Sequence, residues 1–202
     1  MNLRALTETV PTLIIERKFQ PAETLLKQAY EQAKRDDDLE VLEHVAALFV
    51  QLYSSFEPPQ LVRAEYFSLE RERIKSSAYN KLQTAMVIYH VAHDPKRTAE
   101  KLRDTLESSR KENDFPTFYS ALSLLGQSLL DMNKTSEAAD VLHDIEQTIA
   151  AKKPIVVGDE TTFLEKAFAR NVSKSSVQKI AGMLVPLCQD PEFSQRLAAL
   201  AG

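Results

Sequence analysis

The chain has 202 residues and a single cysteine, Cys188. No intrachain disulfide can form, and nothing points to an oxidising compartment. Tryptophan is absent, and there are only 4 glycines. So few, so scattered, cannot build a phosphate-cradling loop. The sequence has no GxGxxG, Walker, HExxH or GxSxG pattern. Long hydrophobic runs are missing as well. The longest charge-free stretch, Phe115 to Leu130, has 16 residues with Ser and Gln inside it, short of the roughly 20 apolar residues that cross a membrane. In the opening MNLRALTETVPTLIIERKF the apolar run is broken by Thr7, Glu8, Thr9 and Pro11, which leaves no signal-peptide core. The expectation is a cytoplasmic protein without a membrane partner. Nor is there an excess of positive charge. Twenty-five basic against 29 acidic residues give a net charge of −4, which argues against a nucleic-acid coat but leaves room for a local basic patch.

What is present is helix-forming. With glycine scarce and Ala, Leu, Glu, Lys and Gln common, an all-α fold is favoured over an all-β one. Apolar residues recur at three and four, as in Leu39, Leu42, Val45, Ala46, Phe49, Leu52 and Tyr53, the spacing of one helix face. Pro21, Pro58, Pro59 and Pro95 punctuate the starts of such segments, and Asp36-Asp37-Asp38 and Asn113-Asp114 read as turns between them. About eight helices are expected before Pro154. Pro11 falls inside the first apolar pattern, which predicts a kink there or a helix start near Val10.

The helices align as pairs. Leu6, Ala46, Leu82 and Leu122 take the first large position; Val10, Val50, Met86 and Gly126 the small one; Leu13, Tyr53, Tyr89 and Leu129 the next. In the second helices the set is Ala22, Val62, Thr98 and Ala138, then Leu26, Tyr66, Leu102 and Leu142, then Ala29, Leu69, Thr105 and Ile145. Only Thr98 and Thr105 break the small-or-apolar pattern. The last pair, with Leu122, Leu125-Gly126, Leu129, Ala138 and Leu142, resembles the tetratricopeptide (TPR) repeat. Gly126 and Ala138 would be the structural packing positions where the paired helices approach. The resemblance implies a TPR-like α-solenoid of about four helical hairpins over residues 1–153, with residues 154–202 as a C-terminal helical cap.

The resemblance also implies that the first helix of each pair lines a concave groove. Its partner-binding residues would be His44, Gln51, Asn80, Gln83, Val87, His90, Ser123 and Gln127, a polar and mostly uncharged set suited to a protein segment or peptide. Of the positions that clamp a C-terminal carboxylate in some TPR domains, here Thr7, Pro11, Leu48, Asn80 and Thr84, only Asn80 is chemically apt. The implied function is a non-enzymatic protein–protein interaction scaffold or adaptor. Self-association is a further option, through Phe115, Phe118 and Tyr119 or through Phe193, Leu197 and Leu200.

After Ala151 the pattern changes. Lys152 to Asp159 reads as a loop with a short extended stretch, followed by helices at about 160–170, 174–188 and 191–200, with Asp159, Ser173 and Asp190 as N-cap candidates. Phe163 to Ile180 also resembles a helix-turn-helix. Ala167 would sit in its crossing, Asn171 in its turn, and Val172, Val177 and Ile180 in its core. The alternative function is therefore a peptide-sensing transcriptional regulator. Residues 155–202 are neutral, with five acids and five bases, which argues against duplex binding. His90, His93 and Asp94 are too few for a zinc site, and Cys188 stands among apolar neighbours that keep a thiol inert. No catalytic residue, metal or cofactor is expected.

Overall fold

A computed structural model describes residues 3–151 and 160–202. Among them are eleven α-helices and no strand: α1 (Leu3–Ile15), α2 (Phe19–Asp36), α3 (Leu39–Ser54), α4 (Leu61–Ile74), α5 (Ala78–His90), α6 (Pro95–Glu112), α7 (Phe115–Asp131), α8 (Thr135–Ala150), α9 (Glu160–Ala169), α10 (Lys174–Leu184) and α11 (Pro191–Ala201). The expected loop from Lys152 to Asp159, the Asp159 cap and the boundary drawn at residues 153–154 lie outside the described residues. The fold is all-α, and the chain divides into two compact units, Met1–His93 and Asp94–Gly202.

The turns show why the helices stop where they do. Arg17, Asp37, His93, Asn113 and Asn133 all have φ between 52° and 58°, the left-handed conformation that ends a helix and that Asn and Asp tolerate better than other side chains. Arg17 and Asp37 are 20 residues apart, as are His93, Asn113 and Asn133. In three of these turns the next residue caps the following helix: Asp38 accepts the Val41 amide at 3.1 Å, Asp94 that of Arg97 at 3.0 Å, and Asp114 that of Thr117 at 3.1 Å. Asp190 likewise caps α11 through Glu192 and Phe193. Ser173 does not act as a side-chain cap. Its backbone is left-handed, and its hydroxyl takes no cap amide. The helix α1 runs through Pro11 without interruption, and α10 ends in a single 3-10 turn, Val185–Leu187, that contains Pro186.

In the first unit α2 packs on α1 and α3, α4 on α3 and α5. Side chains 40 residues apart meet between α2 and α4: Glu23 with Arg63, and Tyr30 with Glu70. The same offset joins Arg17 to Glu57 in the loops before them. A constant offset means that α2 and α4 lie parallel and in register. The core between them and α3 is aromatic. The Phe49 ring stacks on Phe67 at 4.1 Å, and Tyr30 meets both rings edge-on.

In the second unit α7 is central. It packs on α6, α8 and α9, so 13 of its 17 residues are buried. The close approach at Gly126 comes from Phe163 of α9. A Cβ on Gly126 would fall 2.5 Å from Cε1 and Cε2 of that ring. Ala138 is fully buried on α8. The helix α10 rests on α8, α9 and α11, with Lys179 paired to Glu146 at 2.6 Å.

Candidate functional site

The residues expected to line a groove have different fates. In the first unit Gln51 and His90 are exposed, and the His90 ring lies 4.9 Å from Tyr89. His44 is half-buried, and its Nε2 is enclosed without a hydrogen-bond partner among the described residues. Gln83 is half-buried, with its amide 3.6 Å from the Met86 sulfur. Val87 belongs to the hydrophobic core. Asn80 is buried, and its amide donates to Glu43 Oε1 at 3.2 Å and to the Lys75 carbonyl at 2.9 Å. Arg71 reaches the same carboxylate at 3.0 Å. Burial pulls the Glu43 acidity toward the neutral form, but the bonds from Asn80 and Arg71 outweigh it and hold the group below the ordinary carboxylate value. Asn80 therefore fastens α3, α4 and α5 together.

In the second unit Ser123 and Gln127 are both buried in α7, and the Ser123 hydroxyl donates to the Tyr119 carbonyl. They face packing partners because α7 is covered by its neighbours. The two apolar sets considered for self-association are also used internally. Tyr119 and Leu197 are fully buried and Phe118 nearly so, while Phe193 and Leu200 are half-buried. A shallow open cleft of about 230 Å³ is lined by Arg110, Phe115, Phe118, Asp144 and Gln147, among others.

The helix α4 departs from the pattern. At the paired positions of α2, α6 and α8 the side chains are essentially buried, from Ala22 and Leu26 to Leu142 and Ile145. On α4 those positions are Val62, Tyr66 and Leu69, and they are 84%, 51% and 38% exposed. The buried line of α4 is displaced by two residues, to Ala64 and Ser68. Ser68 is satisfied by the Thr84 hydroxyl of α5 at 2.9 Å, and Arg71 by Glu43. Phe67, on the same inward face, stacks on Phe49, so aromatic packing and polar partners together set which face turns inward. The spacing 62, 66, 69 puts Val62, Tyr66 and Leu69 in one outward stripe, with Arg73 continuing it.

Beside the stripe runs the seam between α2 and α4, with two charge clusters. In the first, Glu23 receives Lys27 at 2.7 Å, the Tyr53 hydroxyl at 3.1 Å and Arg63 at 3.4 Å. The Lys27 bond, against some opposition from burial, lowers the Glu23 pKa. Burial, with the neighbouring Glu23 charge, pushes Tyr53 up to about 12. In the second cluster Tyr30 donates to Glu70 at 3.0 Å, Arg73 approaches Glu70 at 3.6 Å, and the Lys34 ammonium lies 4.5 Å from the Tyr30 ring centre. Burial first, then the Glu70 bond, raises the Tyr30 pKa.

The helix-turn-helix candidate has its expected local form. Ala167, Val177 and Ile180 are fully buried, Val172 nearly so, and Asn171 is left-handed with φ 58°. Two of its cations are engaged, however. Lys179 pairs with Glu146, and Arg170 bonds the Leu130 carbonyl and approaches Asp131. No group of three or more His, Cys, Asp or Glu side chains is placed to hold a metal ion among the described residues. No helix there is long and apolar enough to cross a membrane.

No protein-family model matches the chain, and no curated protein matches it. Among solved structures it is similar to the crystal structure of BtubC (BKLC) from P. vanneervenii, at 20% identity and a TM-score of 0.65. The match covers 99% of this chain and 83% of that one. A likeness at this identity speaks for the fold alone.

Proposed function

We propose that this chain is a non-enzymatic protein–protein interaction scaffold built from TPR-like helical hairpins, and that the outer face of α4 is a principal contact surface. The observation that carries the reading is the exposed stripe of Val62, Tyr66 and Leu69 at positions where the other second helices bury theirs. A chain gains nothing in its own folding from leaving such a row in water. The in-register contacts of α2 and α4, 40 residues apart, and the 20-residue spacing of the turns support the repeat. Fully covering each such side chain contributes roughly 1.5–3 kcal/mol, less for one already half covered. Association costs on the order of 4–15 kcal/mol. The stripe therefore anchors a partner but needs polar complementarity around it.

The test is a lightly crosslinked pull-down from the source cell's lysate, comparing the wild type with a Val62→Asp/Tyr66→Asp variant of unchanged melting temperature. Proteins that survive nuclease and moderate salt, and are lost with the variant, support the scaffold. An identical protein set from both rejects α4 as the surface. The left-handed Asn171 and the buried Val172, Val177 and Ile180 favour a second reading, DNA binding by α9 and α10. Co-purified DNA that disappears with Lys174→Glu/Lys179→Glu would promote it.

A further inference from the structure

The two clusters along the seam between α2 and α4 are layered in the same way. In each a carboxylate lies low and cations lie above it. The Glu23 side chain is 10% exposed, beneath Lys27 at 62% and Arg63 at 55%. The Glu70 side chain is 21% exposed, against 73% for Arg73. Lys34, also exposed, covers Tyr30 beside it. The negative charge is sunk and hydrogen-bonded to tyrosines, and the positive charge faces solvent. The chain as a whole carries −4 and the exposed Glu31 lies near Tyr30, but the groups that stand above the two sunken carboxylates are ammonium and guanidinium. Glu23 and Tyr30 are seven residues apart on α2, as are Arg63 and Glu70 on α4, so the clusters repeat about 10 Å apart along parallel helices. On the opposite flank of the Val62–Tyr66–Leu69 stripe stand Glu65 and Glu72, both half-buried, with one carboxylate oxygen of Glu72 enclosed. The stripe is apolar, with a basic edge toward α2 and an acidic edge away from it.

We propose that this surface docks an acidic amphipathic helix of another protein. Its apolar residues would cover Val62, Tyr66 and Leu69, and its carboxylates, spaced about seven residues apart along one edge, would face Lys27 and Arg63 at one cluster and Lys34 and Arg73 at the other. The proposal rests on the interaction reading above and adds the chemistry and orientation of the partner. Complementary potentials fix register and exclude wrong partners more than they add raw affinity. The asymmetric edges therefore admit the helix in one direction.

The test uses the full chain, fluorescently labelled, against a surface-displayed library of 18-residue helices. Apolar residues are fixed at i, i+4 and i+7, and both flanks are varied among Asp/Glu, Lys/Arg and Ser/Gln. The expected result is enrichment of acidic residues on one flank, with affinity falling at least tenfold for Tyr66→Ser and for Lys34→Gln/Arg73→Gln. Arg73→Glu alone, at a well-exposed position, repeats the charge test with little risk to folding. Binders that need Tyr66 but carry a neutral or basic flank would overturn the acidic partner and leave the interaction surface standing. Failure to recover any binder that depends on Tyr66 would overturn both. A wild-type dimer in sedimentation that Tyr66→Asp disperses would assign the stripe to a second copy and overturn the acidic helix.

Discussion

At the scale of single residues, Glu23 holds several elements through one carboxylate, and Gly126 marks one close approach between α7 and α9. Glu23 ties α2 to α3 through Tyr53 and to α4 through Arg63. Hydrogen bonds to a charged group contribute about 1.5–3 kcal/mol, so Glu23→Gln is expected to destabilise the first unit by about 1–2 kcal/mol near neutral pH, read by urea denaturation. The Glu23 pKa is lowered in the folded chain. Its stabilising effect is therefore fully present above the ordinary carboxylate value and is lost as pH falls through the lower folded-state value. The gap between wild type and Glu23→Gln should close below about pH 4. A gap that stayed constant down to pH 2 would mean the carboxylate's charge is not what matters. For Gly126, alanine gains about 1 kcal/mol of helix propensity, but its Cβ collides with the Phe163 ring, and overpacking costs roughly 1–3 kcal/mol. Gly126→Ala should destabilise on balance, and Phe163→Leu should relieve it in the double variant. If Gly126→Ala is stabilising, the ring yields freely and the close approach is not a constraint.

At the scale of the element, α4 shows where periodicity reached its limit. Its sequence, LVRAEYFSLERERI, holds two interleaved helical lines. Val62, Tyr66 and Leu69 form the more apolar one, and a reading of spacing alone assigns them to the core. The face that turns inward carries buried Ala64 and Ser68 with half-buried Phe67 and Arg71, and it wins because Phe49 and Tyr30 pack on Phe67 while Thr84 and Glu43, on α5 and α3, meet Ser68 and Arg71. Those partners are distant in sequence, so no local pattern could reveal them. The turns were legible for the opposite reason. Asp37-Asp38 and Asn113-Asp114 carry their left-handed residue and their cap side by side. The displaced register can be checked directly. Ala64→Leu should cost about 1–3 kcal/mol by overpacking, while Val62→Ser should stay within about 0.5 kcal/mol of wild type, as outward-facing positions do. The reverse ranking would restore the apolar line to the core.

At the scale of the whole molecule, the all-α class followed from composition and periodicity, whereas the burial of individual residues on the helices did not. Asn80, Val87, Ser123 and Gln127 are inside, on helices that pack against α4 in the case of α5 and against α6, α8 and α9 in the case of α7, and the neighbours a helix acquires are a tertiary fact. The division into Met1–His93 and Asp94–Gly202 was equally hidden, since apolar spacing continues through both. It has an energetic consequence. Glu23 has its partners Lys27, Tyr53 and Arg63 within the first unit, and Gly126 meets Phe163 within the second. Effects of sites that share no partner add to within about 0.3–0.5 kcal/mol. The double variant Glu23→Gln/Gly126→Ala should therefore lose the sum of the two single losses, whether the chain unfolds in one transition or each unit in its own. In the first case the losses add in one midpoint; in the second each substitution moves only the transition of its own unit. A coupling energy above about 1 kcal/mol in that cycle would lie well outside this additivity, and would overturn the independence of the two sites.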